Sequence, residues 1–254
     1  MNKKITLVTG LWDIKRDTLG EGWGRGFEEH YITKFKELLD VPYNLIVFGE
    51  EELKEVVFEK RNEENTQFIV RDQEWFKNEF FDTIQTIRNK EEWKNQAGWL
   101  AESTQGRLEM YNPLVMSKMF LLNDAKILDK FDSEHLYWID AAISTTVSIG
   151  YFTSDFVLDK LYNKVNKFLF VCFPYKANTE IHGFSYPDIN TFADGKNVDL
   201  VARGGFFGGP KDSISDISGI YYNLLNTTLS SGYMGTEESL FSILLYRFPE
   251  KICY

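Results

Sequence analysis

The sequence predicts an α/β fold with a mostly parallel central sheet flanked by helices, and three observations carry that prediction. The chain opens with a strand, a helix and a second strand in close succession. Short runs of β-branched and aromatic residues then recur between longer stretches whose apolar residues fall at helical spacing. No internal repeat or low-complexity linker divides the 254 residues, so a single domain over 1–254 is expected, large enough to bury a substantial core.

Residues 5–8 read as a buried first strand that continues through Thr9 to Gly10, followed by a loop holding Gly20, Gly22, Gly24 and Gly26. From 27 to 39 the apolar positions Phe27, Tyr31, Phe35, Leu38 and Leu39 mark a helix, ended by Pro42. Residues 44–48 supply a second strand, and this βαβ opening favours parallel pairing. After a highly charged stretch, 67–70 offers a third short strand, and Phe76, Phe80, Ile84 and Ile87 place a helix between Trp75 and Trp93. Residues 113–122 read as another helix, with Pro113 in its first turn, where a missing N–H costs nothing. A strand at 136–139 stops on Asp140. Phe156, Leu161, Val165 and Phe168 suggest a helix, and 168–173 a strand. A glycine-rich turn, a helix at 213–229 and a last helix from Thr236 complete the chain.

The net charge of −10 argues against a nucleic-acid partner, which would need a basic surface, but leaves room for a local basic cluster that holds an anionic ligand. Cys172 and Cys253 are the two cysteines, without Cys-x-x-Cys spacing, so neither a disulfide framework nor a structural zinc site is expected. The N-terminal apolar run is too short for a signal peptide or a membrane span, and a cytoplasmic setting without an integral membrane segment is the expectation.

Several elements could carry chemistry. Asp140 is a lone carboxylate at the carboxyl end of a buried strand, followed by Ala141 and Ala142. Open α/β sheets bind ligands at that place, where the carboxylate can meet a metal or a ribose hydroxyl; it can equally cap the next turn. Arg203-Gly-Gly-Phe-Phe-Gly-Gly209 reads as a bent loop with an apolar tip, or as a bulge or tight corner needed only by the fold. Thr236 is a plausible N-cap, with Glu237 and Glu238 in the first turn, where the helix dipole suits them; one of the two could instead face a ligand. Arg16 and Arg25 flank the first loop, and Lys118 lies on the helix before the Asp140 strand; each is a cation for phosphate groups or an ordinary surface charge. His182, in Ile-His-Gly-Phe, is read as a hydrogen-bonded core residue in preference to a ligand, and Trp23, Trp75, Trp93 and Trp99 as core in preference to sugar-stacking rings. Neither a dinucleotide Gly-x-Gly-x-x-Gly, a P-loop nor a Gly-x-Ser-x-Gly elbow is present.

Together, Leu7-Val-Thr-Gly-Leu-Trp-Asp-Ile-Lys-Arg16, Asn44-Leu-Ile-Val-Phe48, Asn112-Pro-Leu-Val-Met-Ser-Lys-Met-Phe-Leu-Leu122, Tyr137-Trp-Ile-Asp-Ala141, Gly204-Gly-Phe-Phe-Gly-Gly209 and Gly235-Thr-Glu-Glu-Ser239 resemble the HtrL/YibB (WlaTC-type) family, grouped with the glycosyltransferases. The resemblance spans nearly the whole chain in the same order. The layout is also similar to GT-A glycosyltransferases, in which a basic helix precedes a strand ending in Asp-x-Asp. Lys118 matches the basic position and Asp140 the first Asp, but Ala142 stands at the second. Gly208, Gly209, Glu238 and Ser239 match a pattern of the retaining blood-group-type transferases, which implies Glu238 near the anomeric carbon.

The resemblance implies a GT-A-like fold and transfer of a sugar from a nucleotide-diphosphate donor to a hydroxyl of a glycan acceptor. It implies donor contacts from Thr9, Gly10, Arg16, Arg25, Lys118, Asp140, Ala141, Gly204 and Gly205, and catalytic roles for Glu238 and Glu237, with retention and inversion both open. Mn²⁺ or Mg²⁺ on Asp140 is implied weakly, because the second carboxylate is missing. A non-catalytic nucleotide-sugar or glycan-binding protein on the same fold is the alternative that Ala142 favours. A sugar nucleotidyltransferase is disfavoured, since the first loop lacks a triphosphate-gripping signature.

Overall fold

A computed structural model of the chain describes residues 4–174 and 179–254; within these, the side chains of Asp155 and Phe156 lie outside the described set, so the expected apolar position at Phe156 is not placed. The strands are β1 (Ile5–Leu11), β2 (Asn44–Gly49), β3 (Thr66–Val70), β4 (His135–Ile139), β5 (Phe168–Pro174), β6 (Glu180–Ile181), β7 (Phe184–Ser185), β8 (Leu200–Pro210) and β9 (Ile252–Cys253). Seven form one sheet in the order β3-β2-β1-β4-β8-β5-β9, and β6 and β7 make a separate hairpin. Within the seven-stranded sheet pairing is parallel except at β8, which runs antiparallel to β4 and β5.

The strand runs carry alternating side chains into two buried layers, as expected when helices cover both faces. Val8, Ile46, Phe48, Leu136 and Trp138 point into one core with the helices Lys118–Leu128, Lys211–Ser230 and Glu237–Arg247. Ile5, Leu7, Leu45, Val47, Tyr137 and Ile139 point into the other, against Thr33–Leu38 and Asp155–Lys164. No helix among the described residues is long and apolar enough to cross a membrane.

Three expectations are corrected in detail. The helix expected from 75 to 93 is three pieces, Gln73–Phe76, Phe81–Arg88 and Glu91–Lys94; Asn78 turns the chain after the first, its side-chain oxygen accepting from Phe80 N–H at 3.0 Å. The helix expected at 113–122 is Tyr111–Met116 followed by Lys118–Leu128, with the Ser117 hydroxyl donating to the Pro113 carbonyl at 2.7 Å between them. The glycine-rich segment read as a bent loop lies inside β8, the longest strand. Gly208 and Gly209 sit at φ 144 and 153, and a Cβ on Gly208 would stand 2.3 Å from the Leu136 carbonyl oxygen of β4. The glycines permit close approach of neighbouring strands, so a turn signal in sequence became a packing device in the sheet.

Strand order reverses between β1, whose neighbours continue to β2 and β3, and β4, which continues to β8. Such a switch leaves a crevice beyond the carboxyl ends of the two strands.

Candidate functional site

A cavity of about 480 Å³ fills that crevice, with Gly10 and Trp12 from the end of β1 and Asp140 and Ala141 from the end of β4 on its wall. The register that sets Ile139 opposite Phe206 brings Gly205 beside Asp140, whose N–H donates to the Gly205 carbonyl at 2.9 Å. β8 therefore delivers Arg203 and Gly204 to the same place. The start of the Glu237–Arg247 helix joins them through Gly204 N–H, which donates to Glu238 Oε1 at 2.9 Å.

Lys118, the first residue of its helix and only 6% exposed, lies at the centre. Its Nζ stands 2.9 Å from Asp140 Oδ1 and 2.9 Å from Glu237 Oε1, and donates to the Gly204 carbonyl at 3.3 Å. Asp140 Oδ1 also accepts from Trp138 Nε1–H at 2.7 Å. Burial opposes the lysine charge, but Asp140 and Glu237 outweigh it and raise the pKa, so Lys118 is a fixed cation. Its ammonium is thus engaged by two carboxylates, where the resemblance implied a cation facing phosphate. A Cβ on Gly204 would fall 2.1 Å from Glu237 Oε1, so the glycine makes room for this cluster.

The two glutamates differ sharply. Burial pushes Glu237 up to about 6, with Lys118 only partly offsetting it. Glu238 is largely enclosed, its side chain 12% exposed, but His182, Arg203 and the Gly204 N–H hold its carboxyl below the ordinary value. Its Oε2 lies 2.7 Å from His182 Nε2 and 3.1 Å from Arg203 Nη1. One glutamate is thereby easier to protonate than a free carboxyl, and its neighbour is harder to protonate. Thr236 is the N-cap, accepting from Glu238 N–H at 3.3 Å, yet both glutamate side chains turn to these partners in the site.

The fold pKa of Glu237 exceeds its ordinary 4.5, so its contribution to stability is complete below about pH 4.5 and is lost as pH rises through about 6. Glu237→Gln should remove that dependence. Thermal denaturation of variant and wild type across this window should show the variant gaining about 1–2 kcal/mol relative to wild type as pH rises. A flat difference would refute the burial argument.

Arg16 and Arg25 both border the cavity and are half-buried. Arg16 donates from Nε to the Trp23 carbonyl at 2.9 Å and from Nη1 to the Tyr31 hydroxyl at 2.7 Å, while Arg25 Nη1 donates to the Gly24 carbonyl at 2.8 Å. Neither guanidinium meets a carboxylate among the described residues. Gly10 lets Trp12 fold back over it, since a Cβ would stand 2.4 Å from the Trp12 ring. Thr9 does not line the cavity: it has no exposure, and its buried hydroxyl has no hydrogen-bond partner among the described residues.

Sequence reasoning missed His182, Arg203, Gln105 and Tyr111. His182 is no core residue; its side chain is 34% exposed and meets Glu238 on the cavity wall. It sits at φ 52 before Gly183 at φ 86, the two-residue loop of the β6–β7 hairpin, and the Ile-His-Gly-Phe pattern was the available signal. Arg203 heads the glycine-rich segment read as a loop, so its place in β8 carried no signal in the sequence. Gln105 is 4% exposed on the cavity wall, with an Oε1 that has no partner. Tyr111, also on the wall, has its phenol pushed up to about 12 by burial and stays protonated. Trp93 is core, donating to the Met234 carbonyl at 2.8 Å, whereas Trp23 is half-buried and stacks on Trp99 at 6.1 Å.

These residues do not fit the divalent cation that Asp-x-Asp sites hold. Asp140 already accepts from an indole N–H and an ammonium, a second carboxylate is replaced by Ala142, and Glu237 and Glu238 are committed to cations. Among the described residues no group of three or more His, Cys, Asp or Glu is placed to hold a metal. An ammonium 2.9 Å from the carboxylate would repel a second cation there.

The structure is similar to core-mannan synthase A (CmsA/Ktr4) from Aspergillus fumigatus in its Mn/GDP form, at 10% identity and a TM-score of 0.59, covering 98% of this chain and 72% of that one. Mouse xyloside xylosyltransferase 1 in its apo form matches at 10% identity and a TM-score of 0.45, over 98% of this chain and 83% of that one. No curated protein matches in sequence. The first likeness shows the fold, which is GT-A-like: a mostly parallel seven-stranded sheet with flanking helices. Residues 3–253 match the family model described as "Bacterial protein of unknown function (HtrL_YibB)", and the chain belongs to that family.

Proposed function

We propose that this protein is a glycosyltransferase that moves a sugar from a nucleotide-diphosphate donor to a hydroxyl of a glycan or related acceptor. The observation that carries the reading is the pair Arg16 and Arg25, two guanidiniums without carboxylate partners among the described residues, on a cavity whose other charges are internally matched. In a chain of net charge −10 this is a built anion site, and it lies at the sheet's switch point. The nucleoside lies along Gly10 and Trp12, the diphosphate against Arg16 and Arg25, and Asp140 meets the ribose.

Arg16 and Arg25, in place of Mn²⁺ or Mg²⁺, offset the charge of the leaving diphosphate. The acceptor oxygen bonds to the anomeric carbon as the bond to the β-phosphate oxygen breaks. The nucleoside diphosphate departs with the electron pair and takes up the acceptor proton. Glu238, held anionic, stabilises the positive charge that develops on the sugar ring. Lys118 positions Asp140 and Glu237, and the unpartnered Gln105 Oε1 accepts from a donor-sugar hydroxyl.

A thermal-shift panel of GDP- and UDP-sugars, with Mn²⁺ or with EDTA, tests this reading. One donor class should raise the Tm equally in both conditions, and Arg16→Ala or Arg25→Ala should each weaken its binding by about tenfold or more. Binding without hydrolysis or transfer would favour the nucleotide-sugar-binding protein that Ala142 suggests, and no binding by any nucleotide sugar would end both readings.

A further inference from the structure

A second chamber of about 600 Å³ opens from the first, sharing Arg16, Arg25, Asp140, Arg203 and Glu238 as a common wall. Its far side is different in kind. Val147, Tyr151, Phe152, Leu161, Val171 and Phe173 line it, from the segment after Asp140, the following helices and the outer part of β5. Nine large apolar side chains are exposed among the described residues, and four of them, Val147, Tyr151, Val171 and Phe173, fall in this chamber. Phe173 is 57% and Tyr151 61% exposed, on a chain rich in charge elsewhere. Such a concentration marks a binding surface. His30, on the same wall, adds no charge at neutral pH, because burial, Arg25 and Arg16 lower its pKa.

We propose that this chamber is the acceptor subsite and that the acceptor is amphipathic, a glycoside carrying an alkyl or aryl group. The argument is one of continuity and rests on the transferase reading above. The polar chamber at the switch point takes the donor, so an occupant of the second chamber can present a hydroxyl only at the shared wall, where Glu238 and Arg203 stand. The hydroxyl-bearing sugar of the occupant lies at that polar end, and its apolar group lies along Tyr151, Val171 and Phe173. A purely hydrophilic glycan can stack a ring face on Tyr151 or Phe173 but leaves the exposed Val147 and Val171 without an apolar partner. The volume lies within the range of small-molecule sites.

The test compares methyl and octyl glycosides of glucose, galactose and mannose, below micellar concentration, by calorimetric titration of the full chain. Wild type should bind at least one octyl glycoside about tenfold or more tighter than its methyl partner, because the alkyl group leaves water. In the Tyr151→Ser/Phe173→Ser variant, whose changes lie at exposed positions, that ratio should fall below about threefold, with nucleotide-sugar binding unchanged within about twofold. Equal binding of methyl and octyl glycosides, or a ratio that survives the double substitution, overturns the subsite while leaving donor binding, and the transferase reading, intact. A variant that loses nucleotide-sugar binding instead assigns the chamber to the donor and overturns the proposal. Absence of nucleotide-sugar binding by wild type removes the transferase reading itself, and with it any acceptor role for the chamber.

Discussion

Glu238→Gln is expected to lower turnover by about a thousandfold or more, a loss of about 4 kcal/mol of transition-state stabilisation, while donor affinity stays within about threefold. The asymmetry follows from the position of the carboxylate. Its two oxygens are held by Gly204 N–H, His182 and Arg203, which keep it ionised, and it stands on the wall common to both chambers. The amide of glutamine fills the same space but carries no charge to oppose a cationic sugar ring. On the proposed reading, ground-state donor binding rests on Arg16, Arg25 and the end of β1, which the substitution leaves in place. Single-turnover kinetics with the donor found by the thermal-shift panel checks it; a variant with wild-type turnover would remove Glu238 from the reacting centre.

Gly208→Ala is expected to cost more than about 3 kcal/mol and to lower the Tm by about 10 °C or more. A Cβ there meets only backbone, 2.3 Å from the Leu136 oxygen and 2.7 Å from the Tyr137 Cα, at a φ of 144 that L-residues avoid. Strands β4 and β8 would have to part at the centre of the sheet, so no rotamer change can relieve it. Gly219→Ala is the control: it lies exposed in the Lys211–Ser230 helix with nothing within 4 Å, and should stabilise by about 0.5–1 kcal/mol. Calorimetric melting of the two variants beside wild type decides, and comparable melting of all three would refute the close-approach argument.

β1, β2 and β4 were legible because burial on both faces makes each a short continuous apolar run. Asp140 at the end of β4 followed from the same logic, since a charge that interrupts such a run marks where the strand leaves the core. β8 was illegible because glycine supplies the same letters for a turn and for tight strand packing, and only the partner strand distinguishes them. The continuous helix expected between Trp75 and Trp93 failed for a local reason, a side-chain turn at Asn78 that apolar periodicity does not register. His182 was misjudged because its neighbours Ile181 and Phe184 are buried, while the positive φ at His182 turns its own side chain outward to Glu238. The partners of Lys118 were beyond reach of pattern reading, as its contacts with Glu237 and Gly204 span much of the chain.

The two sides of the cavity are fastened in different ways. Asp140, Gly204 and Glu238 are tied by hydrogen bonds between β4, β8 and the final helix, so their amides should exchange with solvent only as slowly as the sheet itself opens. The backbone bonds between Lys15 and Arg25 close within that segment, Thr18 to Lys15, Leu19 to Arg16, Gly24 to Gly20 and Arg25 to Arg16. Amides of that arm should exchange first. The clock for entry and departure of an anion would then be set by the arm that carries the arginines, and residence time could be tuned by changes there that leave the chemistry of the opposite wall alone.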